Sequence, residues 1–173
     1  MAACFWIGQL TLFIAAIQLG RALGLSPIIT TSSSKHEEFL KSLGATHVVD
    51  RNKSTTLLRD EIEKIASAPI KHVFDAISSQ ETQQFGHDLL VPGGQLDIVL
   101  GQKITKADDK TILYAMGIRS IPEHRELLEI MYRKLTGLLE DGTIVVCPYF
   151  LGSMMFVHGI FISRTDMRYF LVG

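Results

Sequence analysis

The residues of this chain with the clearest chemical use are hydroxyls and one cation. Thr31-Ser32-Ser33-Ser34-Lys35 places them in a row, with no carboxylate before Glu37. Hydroxyl donors and an ammonium suit a dianionic phosphate. An acidic residue at such a place would instead accept from a ribose 2′-hydroxyl and repel a 2′-phosphate. The same serines could cap the helix that follows, and both uses can hold at once.

Other candidate clusters are simpler. Gly8-Gln9-Leu10-Thr11 stands where a phosphate cradle would want G-x-G-x-x-G, because glycines permit a tight turn and close approach of pyrophosphate to a helix N-terminus. Bulky Leu12 and Phe13 replace the later glycine, so the cradle is a poor one. Arg51, after Asp50, could close over an adenosine or be an ordinary surface cation. Ala76-Ile77-Ser78 and Val99-Leu100-Gly101 are small or apolar and suit backbone contacts to ribose and nicotinamide, as they suit any strand end. The six histidines lack HxxxH or HExxH spacing, which argues against a metal site. No G-x-S-x-G and no Ser-His-Asp or Cys-His arrangement is present, so no general acid or base is assigned.

These clusters need strands to carry them. Ile28 to Thr31, rich in Ile and Thr and preceded by Pro27, reads as a buried strand over 27–31. Helices at 10–24 and 35–43 flank it, each ending in a glycine, Gly24 and Gly44. Further strands are expected at 3–7, 47–50, 71–75, 96–100, 112–118 and 143–147. Further helices are expected from Thr55 or Thr56 to 66, at 80–90 and from Pro122 to Glu140. In the third helix Leu57, Leu58, Ile62 and Ile65 should face inward; in the last, Leu127, Leu128, Ile130, Met131, Leu135, Leu138 and Leu139. His47 and His72 should start strands at the end away from the ligand. Strands alternating with helices predict an α/β, doubly wound parallel sheet in three layers.

Length and composition agree. The chain has 173 residues, 47% hydrophobic and 20% charged, with net charge −1. This fits one domain and excludes a basic surface for nucleic acid. Cys4 and Cys147, without CxxC spacing, fit buried thiols in a reducing compartment, hence a cytoplasmic protein. Ala2 to Leu19 is apolar, but Gln9, Thr11 and Gln18 interrupt it and Arg21 closes it short of the ~20 residues of a membrane span. With no basic region before it, a signal peptide is disfavoured too. A buried domain start is the preferred reading over an anchor.

Three motifs in order then carry a resemblance. They are Ala16-Ile17-Gln18-Leu19-Gly20-Arg21-Ala22, Ile28-Ile29-Thr30-Thr31-Ser32, and Lys41-Ser42-Leu43-Gly44-Ala45-Thr46-His47-Val48-Val49-Asp50. His72–Ser78, Val91–Leu96 and Leu138–Ile144 continue it over roughly residues 14–147. The chain resembles the cofactor domain of the medium-chain dehydrogenase/reductase superfamily (zinc-type alcohol dehydrogenase-like), in its zinc-independent quinone-reductase and fungal enoyl-reductase branch.

The resemblance implies a Rossmann-like domain over 1–149 that binds NADPH, with Ser33 and Lys35 on the 2′-phosphate and Arg51 where a tyrosine is usual. It also implies hydride transfer to an activated C=C, and a homodimer on the sheet edge around Tyr114–Ile118. The family's GroES-like catalytic domain is missing and 150–173 reads as a divergent apolar tail. A truncated form without independent activity is therefore expected, acting on a small-molecule substrate only if a catalytic domain is supplied. The alternative is a non-catalytic remnant that binds dinucleotide or a protein partner. The cofactor contacts expected are Gly8, Thr11, Thr31, Ser32, Ser33, Lys35, Arg51, Ser78, Leu100 and Gly101, with no metal ligands.

Overall fold

The computed structural model describes residues 2–6, 10–66, 68–105, 108–115, 122–145, 160–161 and 170–171. Six strands form one parallel sheet: β1 (Ala2–Trp6), β2 (Ile28–Ser32), β3 (His47–Asp50), β4 (Ile70–Asp75), β5 (Gln95–Ile98) and β6 (Thr111–Tyr114). Their spatial order is β3-β2-β1-β4-β5-β6, with every pairing parallel. The order reverses between β1 and β4, so the ligand crevice of such a sheet opens outside their carboxyl ends. Strands β7 (Ile160–Phe161) and β8 (Phe170–Leu171) pair antiparallel apart from the sheet.

Alternation along β2 shows why the sheet is covered twice. Ile28 packs with Ile14 and Ile17 of α1 (Leu10–Ala22) and with Leu40 and Leu43 of α2 (Glu37–Leu43). Ile29 points the other way, into a cluster with Leu58 and Ile62 of α3 (Thr55–Ile65) and Phe85 and Leu89 of α4 (Gln80–Leu89). Strands buried on both faces read as continuous apolar runs, and the result is the expected three layers. Gly86 lets α4 approach the sheet closely, since a Cβ there would stand 2.9 Å from Val73 Cγ1 and 3.1 Å from Leu96 Cδ1. The fifth helix, α5 (Pro122–Glu140), runs into a segment fastened to α1: Gln18 Oε1 accepts from Val145 N–H at 2.7 Å, and its amide donates back to the Val145 carbonyl at 3.3 Å.

Several local expectations need correction. Helix 35–43 is a 3₁₀ turn over Ser34–His36 followed by α2. Ser54 caps α3, with Thr55 already inside it, and Leu57 is 57% exposed instead of inward. Ile130 and Met131 of α5 are also exposed, because only part of that helix's apolar stripe meets the body of the domain. Residues 143–145 form no strand; Ile144 N–H turns back to the Leu138 carbonyl at 2.8 Å. Strand β5 stops at Ile98, because Val99 N–H is taken by the Ser78 hydroxyl at 2.9 Å and leaves the ladder. His47 does begin β3, but His72 lies inside β4. Residues 116–121, expected to continue β6 and open the next loop, lie outside the described residues.

Candidate functional site

The sheet order lines up the expected contacts. The ends of β3 and β2 carry Arg51 and the Thr31–Lys35 run. The ends of β4 and β5 carry Ser78, Leu100 and Gly101, with β1 between the two groups. This is the arrangement needed for an elongated ligand laid across the switch point.

On the β2 side, Thr31 and Ser32 are buried, at 1% and 0% exposure. They form the floor and cannot reach a ligand through their hydroxyls. Ser33 is half-buried with an extended backbone, and its side chain makes no cap bond to the turn that follows. Helix capping therefore does not account for that serine. Lys35 is exposed and has no ion pair among the described residues. Arg51 N–H bonds the Ser32 carbonyl at 3.0 Å, which brings the exposed Arg51 to the end of β2. Asp50 holds that loop by accepting from the backbone and side-chain amides of Asn52, each at 3.0 Å. Ser33, Lys35 and Arg51 thus all lie at the carboxyl ends of β2 and β3, and no carboxylate occurs in the turn between Ser32 and Glu37.

Beneath them, the hydroxyls of Thr30 and Ser32 point to the same face of β2 as Ile28, fully buried and without hydrogen-bond partners among the described residues. Buried polar groups are rarely left so. The end of β2 thus spends stability to keep hydroxyls where valine or alanine would pack.

The β4 and β5 side is built differently. Ser78 is fully buried with φ of 53°. Its hydroxyl donates to the Asp75 carbonyl at 2.8 Å and accepts from Val99 N–H, its own N–H bonds the Asp75 carboxylate at 2.8 Å, and its carbonyl accepts from Gln83 at 3.2 Å. Every polar group of Ser78 is bonded inward and the residue has no exposed surface, so it is a scaffold residue and not the expected contact. Leu100 and Gly101 do stand exposed, and Ile77 beside them is 37% exposed. Leu100 and Ile77 give this end of the crevice an apolar wall. Two residues that mattered were not anticipated, Asp75 and Gln83. A buried acid at the last strand position, followed after seven residues by Thr82 in a helix opening Ser-x-x-Thr, was the available signal.

Gly8 lies outside the described residues, and Thr11 lies in the first turn of α1. A separate groove of about 460 Å³ runs between α3 and α4, lined by Thr55, Arg59, Gln80, Glu81, Phe85 and Asp88 among others. Arg59 closes on it, 3.6 Å from Asp88 and 5.7 Å from the Phe85 ring centre. Among the described residues no three His, Cys, Asp or Glu gather to hold a metal, and no helix is long and apolar enough to cross a membrane.

Similar proteins agree with this architecture. Trans-enoyl reductase FSL5 of Gibberella zeae is 44% identical over 70 residues, 40% of this chain and 19% of that protein. The synaptic vesicle membrane protein VAT-1 homolog of Homo sapiens is 35% identical over 83 residues, 48% of this chain and 20% of that one. The chain thus spans well under half the length of these relatives. The native structure of mycobacterial Rv1454c complexed with NADPH superposes with a TM-score of 0.69 at 15% identity, over 84% of this chain and 47% of that one. The family model for zinc-binding dehydrogenase matches residues 14–119, and the chain belongs to that family, its Rossmann-like fold being the family's NADPH-binding domain.

Proposed function

We propose that this chain is the NADPH-binding part of an oxidoreductase of the enoyl- and quinone-reductase kind. The observation that carries the reading is the turn after β2. There Ser33 makes no cap bond, Lys35 has no ion pair among the described residues, and Arg51 is tied beside them through Ser32. Bound there, NADPH would supply hydride to an activated C=C of the substrate.

The chain's own residues would bind, orient and exclude water. Ser33 and Lys35 hold the 2′-phosphate by charge-assisted hydrogen bonds, and Arg51 covers the adenosine. Ile77 and Leu100 line the far half of the crevice and keep water from the nicotinamide. Zinc-independence belongs to the same reading. Since no proton donor is assigned among the described residues, the chain alone is expected to turn over neither enones nor quinones. The rest of the active site would come from residues beyond the described fold. A cytoplasmic location is part of the proposal, and cell fractionation that found the chain in salt-resistant membranes would contradict it.

Titration of the purified chain with NADPH and NADH tests the reading. Tighter binding of NADPH supports it; equal affinity for the two, or binding of neither, overturns it.

A further inference from the structure

Beyond Ile98 the chain leaves the sheet, and residues 99–103 have no ladder partner, yet they follow the carboxyl end of β5, the end of the sheet where a ligand would bind. Three devices hold this segment. The Ser78 hydroxyl takes Val99 N–H at its start, and the Ile104 side chain plugs into the apolar core at its end. Between them stands Gln83, projecting from the first turn of α4 with no exposed surface. Its amide nitrogen donates to the Ser78 carbonyl at 3.2 Å and the Gly101 carbonyl at 3.0 Å, while its oxygen accepts from Lys103 N–H at 2.8 Å. A single buried amide therefore bonds the loop after β4 to the loop after β5. All of its bonding is spent on backbone that secondary structure does not hold. Ile77 and Leu100, the exposed apolar residues of this edge, ride on the two loops so joined.

We infer that Gln83 is a positioning residue for the nicotinamide half of the cofactor. By joining the two loops it fixes the placement of Ile77 and Leu100, one on each loop, relative to each other. The 2′-phosphate half of the crevice, on β2 and β3, has no bond to Gln83. The inference rests on the NADPH reading above, and it divides the crevice into two parts that respond separately to mutation.

The test uses the full chain with Gln83→Leu, which removes all three bonds, and Gln83→Glu, which keeps the size and the bond from Lys103 but sets carboxylate oxygen against two carbonyls. Affinity is measured for NADPH and for adenosine 2′,5′-bisphosphate, which carries the 2′-phosphate and no nicotinamide. Both variants should bind NADPH about tenfold more weakly, while adenosine 2′,5′-bisphosphate changes less than about twofold. A loss of general fold would instead weaken both ligands together, and equal weakening, or no change in either, overturns the inference. Hydrogen exchange on the unmutated chain supplies a check that needs no variant to fold: the Lys103 amide should exchange slowly, and fast exchange there contradicts the role. If the unmutated chain binds neither ligand, the NADPH reading falls and takes this inference with it. If it binds both and the variants lose both equally, only the inference falls.

Discussion

The Thr82 hydroxyl donates to the Asp75 carboxylate at 2.7 Å, fastening the first turn of α4 to the last residue of β4. The other carboxylate oxygen accepts from Ile77 N–H at 2.9 Å and Ser78 N–H at 2.8 Å. Thr82 also completes a capping box with Ser79, so helix start, strand end and loop share one buried network. Such networks are valuable when every member is paired and costly when one is removed.

Asp75→Ala should therefore lower stability by about 3 kcal/mol, since it leaves the buried Ser78 amide and the part-buried Ile77 amide and Thr82 hydroxyl without their acceptor. Urea unfolding measures this. A loss below about 1 kcal/mol would mean that water replaces the carboxylate and the network carries little.

Thr30→Val is expected to have the opposite sign. The Thr30 hydroxyl is buried without a partner among the described residues, so replacing it with a methyl of like shape should raise stability by about 1 kcal/mol. A lower urea midpoint for the variant would show that the hydroxyl has a bonding role.

Asp97 gives a pH-dependent case. Burial in the sheet pushes its carboxyl above the ordinary 3.8, against the opposing pull of the Gln95 amide, which donates to it at 2.8 Å, and of His72. The protonated acid is the form favoured by folding. Its stabilising contribution is thus fully present below pH 3.8 and is lost as pH rises through the raised value. Asp97→Asn keeps an uncharged side chain that can still accept from Gln95. It should be more stable than the native chain at pH 7 and lose that advantage as the pH falls towards 3.8. Urea midpoints across that range decide, and a variant less stable at pH 7 would contradict the assignment.

Much of the fold was legible because it rests on local patterns. The Ile-rich run of β2, the glycines Gly24 and Gly44 closing two helices, and the Ser-rich turn before Lys35 each act within a few residues. What escaped depends on contacts distant in sequence. The end of β5 is set by Ser78, 21 residues earlier, and the 99–103 loop by Gln83, 20 residues before Lys103. Leu57, Ile130 and Met131 fit an apolar stripe, but periodicity cannot tell which part of a stripe finds a neighbour. Ser78 looked like a ligand contact because it closes a small, apolar strand end suited to backbone contacts, and only its bonding partners show that it is committed inward.

The central claim is that the end of β2 selects a 2′-phosphate, and Lys35→Ala tests it most directly. Lys35 is exposed and unpaired among the described residues, so the substitution should leave the urea midpoint unchanged. Titration with both dinucleotides should then show NADPH binding weakened by about 1–3 kcal/mol and NADH binding nearly unaltered. If NADPH and NADH affinities respond alike to the change, or NADPH does not respond at all, the 2′-phosphate is not recognised here and the account fails.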